Sequence, residues 1–191
     1  MDFSERLRRL SSAGIEVIEL FSADDGRVTP VSVASAVTSC GADSGRVDRA
    51  IDDADPDRIV EGNAAWAELA QQFSLSGSDG TFLLAIDTAG GEDSSYEWFR
   101  VRLTDQWDLM GRGAAEGVLG GGWGIPEFRM HSLDGEVLLA ASWYETCFSV
   151  LAVPRPYRAA VLRGEAEYLL TRRPSAGREA LLRRWLARGA G

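Results

Sequence analysis

The sequence predicts an α+β domain, built on an antiparallel sheet of five or six strands that is flanked by helices, with two helices at the C-terminus. Short β-branched and aromatic runs joined by turn signals cluster in the middle of the chain, which is typical of an antiparallel sheet. Helical periodicity is confined to the parts before and after them. The regular alternation of strands and helices that a parallel sheet needs is absent, and a length of 191 residues fits one domain.

The first third of the chain is expected to be mainly helical. Residues 4–10 have the spacing of a short amphipathic helix, whereas the β-branched run 15–21 favours a strand. Thr29 precedes a proline, which is a helix start signal, so Thr29 is predicted to cap a helix that ends at Gly41. Residues 46–52 are assigned to a further short helix.

A longer helix and two strands follow. The motif DPD at residues 55–57 repeats the start signal and is expected to open a helix that ends near Phe73. Residues 81–87 and 96–103 have the composition of strands. Alternation divides the second strand into one face with Phe99, Val101 and Leu103 and another with Trp98, Arg100 and Arg102.

A hairpin is predicted where Asp134 and Gly135 separate two strand-like runs, because an Asp-Gly pair is the strongest short-range signal for a two-residue turn. Such a turn sets His131 opposite Leu138. The flanking strands are residues 127–131 and 136–143, and a further strand is predicted over residues 147–153.

The chain changes character at Pro154. Strand composition ends there, and a proline two residues later starts a helix predicted to reach about Leu170, followed by a last amphipathic helix capped by Ser175. We therefore divide the chain into a body, residues 1–154, and a C-terminal helical pair, residues 155–191, which is expected to pack on the body.

The net charge of −9 is unevenly distributed. The body has 11 arginines against 26 acidic residues, whereas the helical pair has nine arginines against three glutamates. Such an asymmetry favours electrostatic association, either within the molecule or with a partner. All 20 basic residues are arginine, which we interpret as the codon bias of a GC-rich bacterial genome.

The sequence predicts a cytoplasmic protein. Cys40 and Cys147 are too few for a disulfide framework, and we interpret them as free thiols in a reducing compartment. The N-terminus lacks the apolar run of a signal peptide, and no stretch is long and apolar enough to cross a membrane. No association with a membrane is therefore expected.

Asp53, Asp55 and Asp57 have the Asp-x-Asp-x-Asp spacing with which a calcium-binding loop begins. Such a loop needs glycine at its sixth position and glutamate at its twelfth, and this sequence has Arg58 and Ala64 there. The aspartates are expected to lie at a helix N-terminus instead, where the helix dipole favours negative charge. No metal ion and no cofactor is predicted.

The segment from Gly111 to Gly124 has seven glycines in 14 residues. Its spacing is not that of a phosphate-binding loop, and Glu116 would repel a phosphate. Long loops are nevertheless often functional. The alternative function that we keep is therefore a small-molecule- or nucleotide-binding protein or enzyme, with its pocket under this segment.

Candidates for catalysis are few. His131 is the only histidine, and strand geometry separates it from Cys147, so a Cys–His pair is not expected and His131 is predicted to be a partly exposed strand residue. Glu145 is a candidate acid or base because burial in its aromatic run would raise its pKa. Glu116 is a second candidate. Since no catalytic motif is complete, the sequence favours a non-catalytic protein.

Several tryptophans near the predicted sheet have carboxylates beside them. Aromatic side chains supply contact area and carboxylates steer a basic partner, so the predicted function is a non-catalytic, acidic protein-binding domain, of the immunity or regulatory type, that docks a basic macromolecule. Nucleic acid is not the expected partner, because the acidic body repels phosphate. The predicted partner-binding residues are Glu97, Trp98, Asp105, Trp107, Asp108, Trp123 and Trp143.

Overall fold

The structure is a computed structural model that describes residues 2–23, 25–89, 95–115, 117–120 and 124–189. Glu116 and Trp123 lie outside the described residues. Within them, the strands are β1 (Ile15–Leu20), β2 (Val47–Asp52), β3 (Thr81–Asp87), β4 (Tyr96–Leu103), β5 (Phe128–His131), β6 (Val137–Tyr144) and β7 (Cys147–Pro154). The helices are α1 (Phe3–Ser12), α2 (Val31–Ala34), α3 (Arg58–Gln72), α4 (Ala160–Thr171) and α5 (Ala176–Arg188), with shorter 3₁₀ turns at Ser35–Ser39, Ala42–Ser44 and Pro156–Arg158 and a π-helical turn at Leu109–Gly113.

The described strands form one antiparallel sheet in the order β1-β4-β3-β5-β6-β7-β2. The predicted α+β class, the antiparallel sheet and the two C-terminal helices are confirmed. The sheet has seven strands, however, rather than five or six.

The additional strand is β2, and the helix predicted over residues 46–52 is wrong. β2 pairs with β7 along its whole length, from Val47 opposite Ala152 to Asp52 opposite Cys147. Its side chains alternate between more and less buried positions, and Ile51 reaches the core. The segment is a strand because β7, far away in the sequence, supplies its backbone hydrogen-bond partners.

Helices cover both faces of the sheet. Phe99 belongs to the core beneath α1 and α3, together with Leu10 and Trp66 from those helices. Trp98, the next residue along, belongs to the opposite core, which is closed by α2, α4 and α5. The division of β4 into two faces is therefore as the alternation predicted.

The C-terminal helices contact the body through buried side chains and through arginines. Trp185 of α5 is fully buried in the core on its side of the sheet. The guanidinium of Arg188 stacks over Tyr157 at 4.2 Å from the ring centroid and donates to the carbonyl oxygen of Asp134 at 3.1 Å. Within the helical pair, Arg163 of α4 donates to the carbonyl oxygen of Leu186 in α5 at 3.0 Å. Part of the positive charge therefore serves to attach the helices.

The predicted hairpin at Asp134 and Gly135 is confirmed, with His131 opposite Leu138. Gly135 has a φ of +78°, and a side chain there would overlap the carbonyl oxygen of Arg27. Only glycine fits at position 135 of this turn, and for this reason the Asp-Gly pair predicted the hairpin correctly. At the next hairpin Tyr144 pairs with Cys147, so that Glu145 and Thr146 form the turn.

Candidate functional site

The predicted partner-binding residues are distributed over several parts of the molecule. Trp98 is 3% exposed, and its indole N–H donates to the carbonyl oxygen of Thr29 at 2.8 Å. Trp107 packs edge-on against Trp66, with ring centroids 5.2 Å apart. Glu97 is exposed near the start of β4, whereas Asp105 is exposed beyond its end. These side chains do not lie on one common surface.

Asp108, another of those residues, has its carboxylate occupied within the molecule. It accepts hydrogen bonds from the backbone N–H groups of Gly111 (2.8 Å) and Arg112 (3.0 Å) and from the side chain of Asn63 (2.8 Å). Partial burial would raise the pKa of Asp108, but these hydrogen bonds outweigh it and the pKa is lowered. The carboxylate therefore caps the π-helical turn and ties it to α3.

Trp143 lies at one end of the sheet, on a surface that we call the acidic tip. The acidic tip comprises residues 52–61 and residues 143–146. The two segments are in contact, because the backbone N–H of Asp53 donates to the carbonyl oxygen of Thr146 at 3.0 Å and Asp52 pairs with Cys147. They are far apart in the sequence, so only the sheet brings them together.

The acidic tip has six carboxylates and one arginine. Within the described residues, its ion pair is that of Arg58 with Asp53, at 3.5 Å. The surface therefore keeps a large negative charge that is open to solvent. Its acidic residues are Asp52, Asp53, Asp55, Asp57, Glu61 and Glu145.

Large apolar side chains accompany this charge. Of the eight that are exposed in the described part of the chain, four belong to the acidic tip, namely Ile59, Val60, Trp143 and Tyr144. Val60 is 69% exposed and Trp143 is 42% exposed. Exposed apolar groups concentrated on one polar surface are typical of a protein-binding site.

Part of the negative charge has a structural explanation. Asp57 and Glu61 lie at the N-terminus of α3, where the helix dipole favours carboxylates. That explanation does not extend to Asp52, which ends a strand, or to Glu145, which lies in the β6–β7 turn. Glu145 is exposed there, so the burial that made it a candidate acid or base is not observed.

The prediction that His131 is partly exposed is wrong, because its side chain is fully buried. Its Nδ1 lies 2.9 Å from the carbonyl oxygen of Ser132, and its Nε2 lies 2.9 Å from the hydroxyl of Thr29. Desolvation lowers the pKa of His131 to about 4, so the ring is neutral at pH 7. Thr29 uses its hydroxyl here, and Pro30 takes the N-cap position of α2 that was predicted for Thr29.

His131 and Cys147 are far apart, as expected from the sequence. The partner of His131 on β6 is Leu138, whose own partner on β7 is Val153. Cys147 lies six residues from Val153 along β7, which corresponds to roughly 20 Å of strand.

The sheet opens between β3 and β5, at a place that we call the strand split. In the described residues these strands share two register pairs, Leu83 with His131 and Leu84 with Met130. The ladder then stops, although β3 continues to Asp87. The strand split holds a cavity of about 70 Å³, and residues 117–120 of the glycine-rich segment lie over it.

Two arginines line the strand split. The side chains of Arg6 and Arg129 are 13% and 19% exposed, and the Nε of each is buried without a hydrogen-bond partner in the described residues. Arg6 pairs with Asp87 at 3.2 Å, and Arg129 lies 3.5 Å from Glu127. A buried donor that lacks a hydrogen-bond partner lowers the stability of the fold by about 1–3 kcal/mol. Two such donors beside one cavity are therefore unusual for a purely structural arrangement.

A groove of about 650 Å³ adjoins the strand split on the side of α2 and α5, and we call it the helix-side groove. Tyr96, Glu127 and Arg129 line both spaces. Val31 and Leu181 form its apolar wall.

The described part of the chain shows neither a metal-binding cluster nor a membrane-spanning helix. Among the described residues, no group of three or more His, Cys, Asp or Glu side chains is arranged to bind a metal ion. No helix in the same part of the chain has the length and apolar character needed to cross a membrane. Comparisons of the chain with protein-family models, with curated proteins and with solved structures found no match.

Proposed function

We propose that this protein is a non-catalytic protein-binding domain, of the immunity or regulatory type, that docks a basic protein on the acidic tip. One observation carries the proposal. Six carboxylates and a single arginine lie on two adjoining segments that also carry the exposed side chains of Trp143, Tyr144 and Val60.

The two properties of the acidic tip have different tasks in binding. The carboxylates attract lysine and arginine side chains over a distance and raise the association rate. Trp143 and Tyr144 supply rigid apolar area, which slows dissociation once the surfaces meet. Charge complementarity therefore selects a partner whose contact surface is rich in lysine and arginine.

The distribution of charge over the rest of the molecule also favours the approach of a basic partner to the acidic tip. α4 and α5 pack on the opposite side of the sheet from α3, and Arg172, Arg173 and Arg178 are exposed there. Positive and negative surfaces are thus separated, and such a charge distribution orients a charged partner as it approaches. A cytoplasmic location is part of this proposal and is based on the sequence alone.

The test compares two full-length variants with equal changes of charge. One carries Asp53→Asn, Asp57→Asn, Glu61→Gln and Glu145→Gln in the acidic tip. The control carries Glu16→Gln, Glu19→Gln, Glu165→Gln and Glu167→Gln elsewhere. Proteins captured from the host by the immobilised wild type are identified by mass spectrometry, and the association rate of each purified candidate is measured at about 50 mM and about 500 mM salt.

We expect a basic partner whose association rate falls by about tenfold with the tip variant and changes by less than about twofold with the control. High salt should remove most of that difference, because it screens exposed charges. Trp143→Ala should mainly accelerate dissociation. Equal binding by the tip variant and the wild type, or a partner with an acidic contact surface, would refute the proposal.

A further inference from the structure

We propose that the strand split binds the carboxylate group of a small organic acid, whose body lies in the helix-side groove. The site is separate from the acidic tip and uses none of its residues. The two proposals can therefore fail independently.

The donors approach the strand split from both sides of the sheet. Arg6 belongs to α1, which covers one face. Arg129 alternates with Met130 along β5 and therefore faces the same side as His131, toward the C-terminal helices. A guanidinium has five N–H donors in a planar fork that matches a carboxylate, and each of these two has a buried Nε that is not engaged in the described residues. A carboxylate bound in the cavity would accept hydrogen bonds from the guanidinium groups that line it.

The local charge disfavours a ligand with more than one negative charge. Asp87 and Glu127 each lie near one of the two arginines, so the site is close to neutral when empty of ligand. Asp87 is also held by the backbone N–H groups of Ala89 and Ser95, at 3.2 and 3.1 Å, and it is not displaced by a ligand. A monoanionic carboxylate suits this balance better than a phosphate, which carries more charge.

The sizes of the two spaces agree with this assignment. The cavity of about 70 Å³ has room for about two water molecules, which is the size of a carboxylate group. The helix-side groove, at about 650 Å³, is within the usual range for small-molecule sites. Val31 and Leu181 suit an apolar body, and Tyr96 lines the passage between the two spaces.

The glycine-rich segment contributes its backbone. Gly120 lies so close to the carbonyl oxygen of Ile125 that a side chain at this position would overlap it. Glycine at position 120 therefore allows this close approach of two backbone segments at the cavity. This gives the described glycines 117 and 120 a role that does not require a phosphate.

The test uses formate, acetate and benzoate as probes, with benzamide as the neutral analogue of benzoate. Binding to the full chain is measured by calorimetry and by the shift of the unfolding temperature. Benzoate should bind the wild type, whereas benzamide should bind at least about tenfold more weakly because it lacks the charge. Failure of all three carboxylates to bind at about 10 mM would overturn the proposal.

Variants identify the site. Arg129→Gln and Arg6→Gln should each weaken benzoate binding by about tenfold or more, whereas Arg102→Gln should leave it unchanged within about twofold. Arg102 is a suitable control because it is an exposed arginine of the same sheet, paired with Glu16. Unchanged binding by a folded Arg129→Gln variant would overturn the proposal.

A direct measurement is available should the glutamine variants fail to fold. Wild-type crystals are soaked with 4-bromobenzoate, and the bromine is located by its anomalous scattering. The proposal requires the bromine in the helix-side groove and the carboxylate against Arg129. A bromine bound only elsewhere would overturn it.

Discussion

The imidazole Nε2 of His131 lies 2.9 Å from the hydroxyl oxygen of Thr29, which precedes it by 102 residues. The backbone N–H of Thr29 approaches the same nitrogen at 3.3 Å, and the carbonyl oxygen of Thr29 accepts a hydrogen bond from Trp98. The carbonyl oxygen of Ser132 accepts a hydrogen bond from Nδ1 at 2.9 Å. The neutral ring is therefore part of a buried network that attaches the segment before α2 to the sheet.

Acid should destabilise the fold through this residue. The pKa of His131 is about 4 in the folded protein, against an ordinary value of 6.5. The unfolded chain takes up the proton first, so the stabilisation is complete above pH 6.5 and is lost as the pH falls toward 4. We expect the free energy of unfolding to fall by about 2 kcal/mol between about pH 7.5 and about pH 5, as measured by urea titration.

The variant His131→Gln separates this effect from that of the carboxylates. It should be less stable at neutral pH, but its stability should change much less over the same interval. The carboxylates with lowered pKa values titrate below their ordinary values of 3.8 for aspartate and 4.5 for glutamate, so they contribute only in stronger acid. They are Asp25, Glu68, Asp79, Asp108 and Asp134. A wild-type stability that is constant down to about pH 5 would contradict the burial of His131.

Arg188→Ala should lower the free energy of unfolding by about 2–3 kcal/mol, because it removes charge-assisted hydrogen bonds and a cation–π contact with Tyr157. Arg183→Ala on the same helix is the control. Its side chain is 65% exposed and pairs with Glu179, so its loss should cost less than about 0.5 kcal/mol. Equal effects in chemical denaturation would show that Arg188 does not anchor α5.

Gly62→Ala should destabilise the protein even though alanine favours helices. An added Cβ would lie 2.8 Å from the Phe148 ring and 3.0 Å from Met110. Overpacking costs about 1–3 kcal/mol, which exceeds the helix-propensity gain of about 1 kcal/mol. Gly164→Ala in α4 has open space around it and should stabilise by about 0.5–1 kcal/mol. Thermal unfolding of both variants checks the sign of each change.

Asp108→Ala should cost about 2 kcal/mol of stability, since its carboxylate caps the π-helical turn and accepts from Asn63. Asp105→Ala should change stability by less than about 0.5 kcal/mol, because Asp105 is exposed. Neither substitution should alter partner association by more than about twofold. A large binding defect with intact stability would instead favour the partner-binding role that the sequence suggested for Asp108.

Local signals accounted for much of the fold. The bounds predicted for β3 and β4 are the observed ones, and the Asp134-Gly135 turn led to the observed register of His131 with Leu138. These predictions succeeded because turn geometry and side-chain alternation depend on neighbours in the sequence. The helix predicted for residues 46–52 was wrong because the local preference for helix is weak there. Pairing with β7, which is distant in the sequence, makes the segment a strand.

The sequence by itself determined the α+β class, the hairpin register and the separation of charge between body and C-terminal helices. Only the tertiary structure decided that His131 is buried, that the exposed aromatic side chains are Trp143 and Tyr144 rather than Trp98, and that Arg6 and Arg129 line the same cavity. The physical reason is the same in each case. Burial and juxtaposition arise from contacts between segments far apart along the chain, and a local pattern has no information on which segments will meet.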